Sequence, residues 1–171
     1  MLPIVKVIKP SDLKGVTPGQ LPPALLVKIA NGGKLHHITA KAWNALVAKA
    51  TADGIVLKPT SAGDVYRDYE TQKRGFLTRY QLVPTNHGNT RTFEGQTWYL
   101  KKGFAPLATP GQSMHNLGLA IDVANASGPI LKWMKNNIQN FGFSWELEEE
   151  PWHIRLVCGD DLPPAVTGQV A

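Results

Sequence analysis

Apolar positions recur every three to four residues in three stretches of the chain and at every second residue in two others. "ITAKAWNALVAKATADG" (38–54) predicts a helix: Ala42, Leu46, Val47 and Ala50 form an apolar stripe, Thr39 can cap the start and Gly54 suits the stop. "DYETQKRGFLTRY" (68–80) predicts a second, with Asp68 at its start and Glu70 in the first turn, where the helix dipole favours acids. "SGPILKWMKNNIQNFG" (127–142) predicts a third, capped by Ser127, with Ile130, Met134, Ile138 and Phe141 on one face and Gly142 as terminator. "GLAIDV" and "PWHIRLV" read as strands, the second setting Trp152, Ile154 and Leu156 against His153, Arg155 and Val157. "IVLKPTSAG" (55–63) reads as a short strand ending near Pro59.

Between these elements the pattern is weaker. Residues 1–35 are rich in Pro, Gly and Lys and are expected as an irregular N-terminal segment of the same domain. Residues 81–111 carry four Gly and three Pro without sustained periodicity, which predicts a long loop or partial hairpin; loops of that length in compact domains are often functional. Residues 36–160 form the main domain on this reading, and 161–171 resemble a linker. The expected class is α+β, with helices packed on a small, mostly antiparallel sheet. A chain of 171 residues suits one domain with a real core.

Composition narrows the function classes. Hydrophobic residues make up 43% and charged residues 18%, a globular balance. The net charge of +5 favours an anionic partner, but the basic residues are scattered, so no nucleic-acid partner is expected. No run of 18 apolar residues exists, so membrane insertion is not expected either. The first residues, "MLPIVKVIKPSDLKG", lack the long apolar core of a signal peptide. One cysteine, Cys158, supplies neither a disulfide framework nor a multi-thiolate site and reads as a structural thiol.

Chemistry concentrates in "SMHNLGLAIDV" (113–123), where His115 and Asp122 interrupt an apolar run seven positions apart. Two ligands of one zinc ion have donor atoms roughly 3–4 Å apart. A helix would separate these residues by about 10 Å of rise. A straight strand would separate them by about 23 Å, on opposite faces. Joint ligation therefore requires a turn, which "HNLG" can supply, because Asn116 and Gly118 both tolerate positive φ. His153 offers a third ligand, and two histidines with one carboxylate match a catalytic zinc that keeps one position open. Glu150, three residues earlier, is placed to act as general base on water. Each residue alone has a structural alternative: a packed histidine, an aspartate capping a turn, a solvated glutamate run. Spacing by itself leaves the two readings level.

The motifs carry a resemblance as well. "SMHNLGLAID" is similar to the S-x-H-x-x-G-x-A-x-D signature of the D-alanyl-D-alanine metallopeptidases, and "EPWHIRLV" to their E-x-W-H segment. "VYRDYETQ" resembles their Y-R-S-Y-x-x-Q segment, with Asp68 where Ser is usual. The family groups with lysostaphin-type and hedgehog-type zinc proteins, and includes vancomycin-resistance carboxypeptidases and phage endolysin peptidases. The resemblance implies a hedgehog/D-Ala-D-Ala-peptidase-like fold and one zinc ion held by His115, Asp122 and His153. It implies Glu150 as catalytic base and Arg67 as the cation that polarises the scissile carbonyl. Ser113, Gln72 and Trp152 are implied as substrate-binding or site-supporting residues. His36, His37 and His87 match nothing in the pattern and read as surface or loop residues; Glu148 and Glu149 are expected at the rim.

The implied substrate is a peptidoglycan stem peptide, cut either as a D-Ala-D-Ala carboxypeptidase or as a phage-endolysin-like L-Ala-D-Glu endopeptidase, by a monomer. A carboxypeptidase needs a cation for the free carboxylate, and Arg91, Lys101 and Lys102 are candidates. Without a signal peptide and with a linker-like tail, the phage-lysin form is favoured. It would stay in the host cytoplasm until released to the cell wall; the alternative is an extracellular, wall-located enzyme. A different class, a non-catalytic zinc-stabilised wall-binding or structural module, would need neither Glu150 nor Arg67.

Overall fold

The structure is a computed structural model and describes residues 1–30, 32–86 and 88–168. Strands β1 (Leu26–Lys28) and β2 (Lys34–His36) form an antiparallel hairpin that leads into helix α1 (His37–Ala52). Helix α2 (Tyr69–Arg79) runs into β3 (Tyr80–Gln81), followed by the hairpin β4 (Thr90–Phe93) and β5 (Gln96–Leu100). Then come β6 (Ala120–Asp122), helix α3 (Gly128–Asn137), β7 (Phe143–Trp145), β8 (His153–Leu156) and the short helix α4 (Pro164–Thr167). The sheets are small and antiparallel, in the orders β1-β2, β3-β5-β4 and β6-β8-β7, so the α+β expectation holds.

The main core joins α1 and α3 to the β6-β8-β7 sheet. Leu46, Ala42 and Ala50 of α1 are fully buried, as their stripe predicts, and meet Ile121, Phe143, Trp145, Ile154 and Leu156 from the sheet and Met134 from α3. Full burial of each large apolar side chain is worth roughly 1.5–3 kcal/mol, which anchors the sheet that carries the polar residues. A second, smaller cluster of Phe76, Tyr80, Phe93 and Leu100 joins α2 to the β3-β5-β4 sheet. Phe76 stacks on Tyr80 with ring centroids 4.6 Å apart and meets Phe93 edge-on. The stretch 81–111, expected as a loop or partial hairpin, is thus a hairpin with an irregular return.

Several expectations change in detail. Helix α1 is capped by His36, whose Nδ1 accepts from the Ile38 N–H, while Thr39 is buried inside the first turn. Residues 55–63 form no strand. Pro59 has no N–H to donate, and the segment makes only one bridge, to Val123, while Thr60 N–H donates to the Asp122 carbonyl. Residues 161–168, expected as linker-like, include α4, and Leu162 and Val166 pack against the main core. The N-terminal segment is largely irregular and contributes buried Leu2, Leu13, Leu21 and Ile29 to that core. Residues 169–171 and His87 lie outside the described residues.

Candidate metal centre and active site

The bend required between His115 and Asp122 is present. Met114–Leu117 form one 3-10 turn, Ser113 caps it in a reciprocal box with Asn116, and Gly118 ends it at φ 70°, ψ 20°. Only Gly118 uses the left-handed region; Asn116 is held in the turn, its side-chain amide donating to the Arg67 carbonyl at 2.8 Å. A Cβ at Gly118 would stand 2.6 Å from the His36 backbone nitrogen, so both conformation and space demand glycine. Leaving that turn, β6 runs antiparallel to β8 with Asp122 directly opposite His153. Side chains in such a cross-strand pair start about 5 Å apart at Cβ, within reach of one another.

The donor atoms converge. Asp122 Oδ1 lies 3.1 Å from His115 Nε2 and 2.8 Å from His153 Nδ1, and the three residues can offer one atom each within 4.8 Å of one another. Behind each imidazole stands an acceptor. His115 Nδ1 donates to the Val65 carbonyl at 2.7 Å, and His153 Nε2 donates to Glu146 Oε2 at 2.7 Å. An outward N–H fixes the inward nitrogen as the one that would bind a metal once the ring is neutral. Two imidazole nitrogens and a carboxylate facing one point suit a cation between them, so the donor set fits a zinc ion.

Electrostatics agree with that reading. Burial opposes a charge on His153, but the hydrogen bonds to Asp122 and Glu146 outweigh it and hold its imidazolium up to about 9. Burial depresses His115, which stays neutral more readily than a free histidine. Burial would raise Asp122, yet the two histidines beside it hold it ionised, well below the usual carboxylate range. The metal-free centre therefore holds a proton on His153 where a cation would sit.

A second cluster, Asp12, His36 and His37, also gathers donor atoms within 4.8 Å. His36 Nε2 lies 2.7 Å from Asp12 Oδ1, and His37 Nε2 lies 2.5 Å from Asp12 Oδ2. Here the partner behind the buried His36 is a donor, the Ile38 N–H. Nδ1 must accept, so Nε2 carries the proton and donates it to Asp12. That cluster is a hydrogen-bonded clasp between the N-terminal segment and α1, and His36 is fully buried rather than a surface residue.

A cavity of about 620 Å³ opens beside the first cluster, lined by Arg67, Ser113, Glu149, Glu150 and Trp152 together with His115, Asp122 and His153. Glu150 sits in the turn between β7 and β8, where its carbonyl accepts the His153 N–H at 3.0 Å. Burial raises its carboxyl above the ordinary range, with further upward pressure from Asp122, Glu146 and Glu149 against a downward pull from His153. Arg67 precedes α2, tied by its N–H to the His115 carbonyl at 3.1 Å; its guanidinium is 4.0 Å from Asp64, and its Nε has no hydrogen-bond partner. Ser113 both caps the His115 turn and faces the cavity. Trp152 is 42% exposed at the rim. Gln72 is buried outside the lining, where its amide donates to the Ala108 carbonyl at 2.9 Å and supports a wall of the cavity. Glu149 reaches the rim as expected, whereas Glu148 turns away and accepts from the Leu2 N–H.

Sequence reasoning missed Glu146. It follows β7, one step past the Trp145–Ile154 pair, and so flanks His153 on the side opposite Asp122. The available signal was a carboxylate seven residues before the histidine, at the open end of a hairpin.

Residues 32–159 match the family model for VanY, D-alanyl-D-alanine carboxypeptidase. A D-alanyl-D-alanine carboxypeptidase of Enterococcus faecalis is 28% identical over 151 residues, covering 77% of this chain and 52% of the relative; the chain thus spans about half that protein's length. Among solved structures, the LdcB LD-carboxypeptidase is similar with a TM-score of 0.59 and 25% identity, over 82% of this chain and 71% of that one. A mutant of the vancomycin resistance D,D-pentapeptidase VanY in complex with Zn(II) gives a TM-score of 0.55 and 23% identity, over 80% and 82%. VanYB in complex with D-alanine-D-alanine gives 0.54 and 24%, over 77% and 76%. At those identities the two VanY structures establish likeness of fold.

Proposed function

The chain belongs to the VanY D-alanyl-D-alanine carboxypeptidase family, and on that premise we propose that it is a zinc-dependent peptidase acting on a peptidoglycan stem peptide. The observation that carries the reading is the orientation of the two histidines. Each donates outward, to Val65 or to Glu146, and turns its other ring nitrogen toward Asp122, beside a cavity that also holds Glu150 and Arg67. The Zn(II) and D-alanine-D-alanine complexes of similar proteins support the choice of metal and of substrate class.

On this reading His115, Asp122 and His153 hold one zinc ion, which when bound supplies Lewis acidity for the carbonyl and for water. Glu150 accepts the proton of the attacking water as its oxygen bonds to the carbonyl carbon. The C–N bond then breaks as Glu150 returns that proton to the leaving nitrogen, giving a carboxylate and an amine. A carboxyl raised by burial is suited to both halves of that exchange, since its affinity for the proton lies closer to neutrality. Arg67, fixed through its backbone to the His115 turn and carrying an unpartnered Nε, meets the charge that grows on the carbonyl oxygen. Ser113 and Trp152 line the path of the peptide, and Gln72 supports the wall formed by Ala108. Residues 36–160 constitute the peptidase unit, and the segment before it completes the same core.

Purified peptidoglycan digested with the zinc-loaded protein tests this, with products identified by mass spectrometry. Loss of a terminal alanine marks a carboxypeptidase; a cut between L-Ala and D-Glu marks the endopeptidase form. Glu150→Gln should lower turnover by about 10²–10⁴ while zinc stays bound. A wild-type protein that binds zinc and is as inert as the variant would overturn the enzymatic reading in favour of a structural zinc module.

A further inference from the structure

Glu150 sits on the turn of residues 146–152 that joins β7 to β8. Leu147, Glu149, Glu150 and Trp152 of this turn line the cavity, so the seat of the turn decides where the carboxylate of Glu150 stands. Internal bonds fix the shape of the turn. The Glu150 N–H donates to the Leu147 carbonyl at 3.2 Å, and the Trp145 indole N–H donates to the Pro151 carbonyl at 2.8 Å. The sheet carries both ends: Trp145 pairs with Ile154, and the Trp152 carbonyl accepts the Val123 N–H at 2.8 Å. Glu148, in the middle, is absent from the cavity lining. Its two carboxylate oxygens instead accept the Leu2 N–H, at 2.9 and 2.8 Å.

Leu2 is a firm anchor, because its side chain is buried in the main core. β7 is an edge strand, and residues 2–8 run beside it as a strap. The Pro3 carbonyl accepts the Ser144 hydroxyl, Ile4 bridges Trp145 in parallel, and Ile8 bridges Cys158 beyond β8. The Val5 carbonyl accepts one arm of the Arg155 guanidinium at 3.1 Å, and the other arm lies 3.3 Å from Glu146. The strap thus fastens the turn at its first residue, through Arg155, and at its middle, through Glu148. Glu148 is half-exposed, so water can replace part of the bond energy. Water cannot replace the position: a loose water follows the turn, whereas a core-anchored N–H holds it in place.

We infer that Glu148 is a positioning residue, through which the strap of residues 2–8 seats the turn that presents Glu150 to the cavity. The inference rests on the peptidase reading, in which Glu150 handles the proton, and adds the device that places it.

The test uses the full zinc-loaded chain and a peptidoglycan stem peptide. Glu148→Ala should lower kcat about tenfold, within the roughly 10²-fold that a misplacement of about 1 Å can cost, while KM and zinc affinity stay within about twofold. Glu148→Gln keeps an oxygen for the Leu2 N–H and should recover most of the loss. In Leu2→Pro, which has no N–H to donate, adding Glu148→Ala should lower kcat no further. Asp160→Ala frees the Ser11 N–H, a tie of the N-terminal segment remote from the turn, and should leave kcat unchanged. Wild-type kcat in Glu148→Ala overturns the inference and leaves the peptidase reading intact; so does an equal loss in Asp160→Ala, or an undiminished further loss in the Leu2→Pro background. If wild type cleaves no peptide, the peptidase reading falls. Residue-resolved amide exchange then decides the seating: exchange at the Glu150 N–H about tenfold faster in Glu148→Ala but not in Asp160→Ala upholds it, and equal rates overturn it. The same measurement decides it if Leu2→Pro does not fold.

Discussion

Replacing Glu146 tests the metal reading at the residue that the sequence did not single out. Its Oε2 accepts the Nε2–H of His153 at 2.7 Å, and its Oε1 lies 3.3 Å from the Arg155 guanidinium. In Glu146→Ala the imidazole loses the carboxylate that holds its outward proton and fixes the ring against Asp122. A hydrogen bond to a charged group is worth about 1.5–3 kcal/mol net. The Glu146 side chain is 33% exposed, so water takes over part of the acceptor role and the effect falls toward the lower end of that span. At about 1.4 kcal/mol per decade, zinc affinity should fall about tenfold, at the lower edge of the range typical for partners standing behind a ligating histidine. Glu146→Gln keeps an acceptor without the charge and should lose less than about tenfold. Titration against a competing chromophoric chelator reads this directly. Arg155 is 12% exposed and loses a partner in the same substitution, so the metal-free variant should also unfold about 1–3 kcal/mol more easily. Denaturant titration in chelator measures that separately. Wild-type zinc affinity in Glu146→Ala would refute the claim that this carboxylate orients His153.

Three further outcomes follow from the same geometry. Zinc binding by the metal-free protein should strengthen about tenfold per pH unit between pH 6 and 8, because His153, held up to about 9, must release one proton to bind, whereas His115 and Asp122 are already deprotonated; a flat profile would refute it. Gly118→Ala forces a side chain into the left-handed region and against the His36 nitrogen at 2.6 Å, so it should cost about 1–3 kcal/mol in denaturant unfolding and weaken zinc binding by displacing His115; an unchanged midpoint would count against it. Asp12→Ala strands the buried Nε2–H of His36, which should cost about 1–3 kcal/mol while the zinc content by metal analysis stays at one per chain; a fall from two to one would mean that the clasp is a metal site.

Local signals in the chain were sufficient for the helices and for part of the site. The periodicity of Ala42, Leu46 and Ala50 and the cap at Asp68 act within one or two turns, so α1 and α2 were legible to within a few residues, whereas α3 ends at Asn137 and Gly142 stops the 3-10 turn Ile138–Phe141 that follows it. The seven-residue gap from His115 to Asp122, impossible for a straight helix or strand, required the bend that Gly118 makes. Short strands were harder. β1, β2 and β7 have three residues each, too few to show a period of two, and Pro59 turned a strand-like run into a single bridge.

Relations between distant segments were decided only on folding. The β6-β8-β7 order sets Asp122 and Glu146 on either side of His153, and that sandwich chooses which imidazole nitrogen is free. The same logic separates two clusters of identical composition, each with one aspartate and two histidines. At Asp122 the groups behind the rings are acceptors, and at Asp12 the group behind His36 is a donor, so the first is prepared for a cation and the second already holds its proton. Residue types and spacing determined which atoms could serve as ligands. Which way each proton points depends on backbone groups far away in sequence, and only the tertiary structure brings those within hydrogen-bond distance.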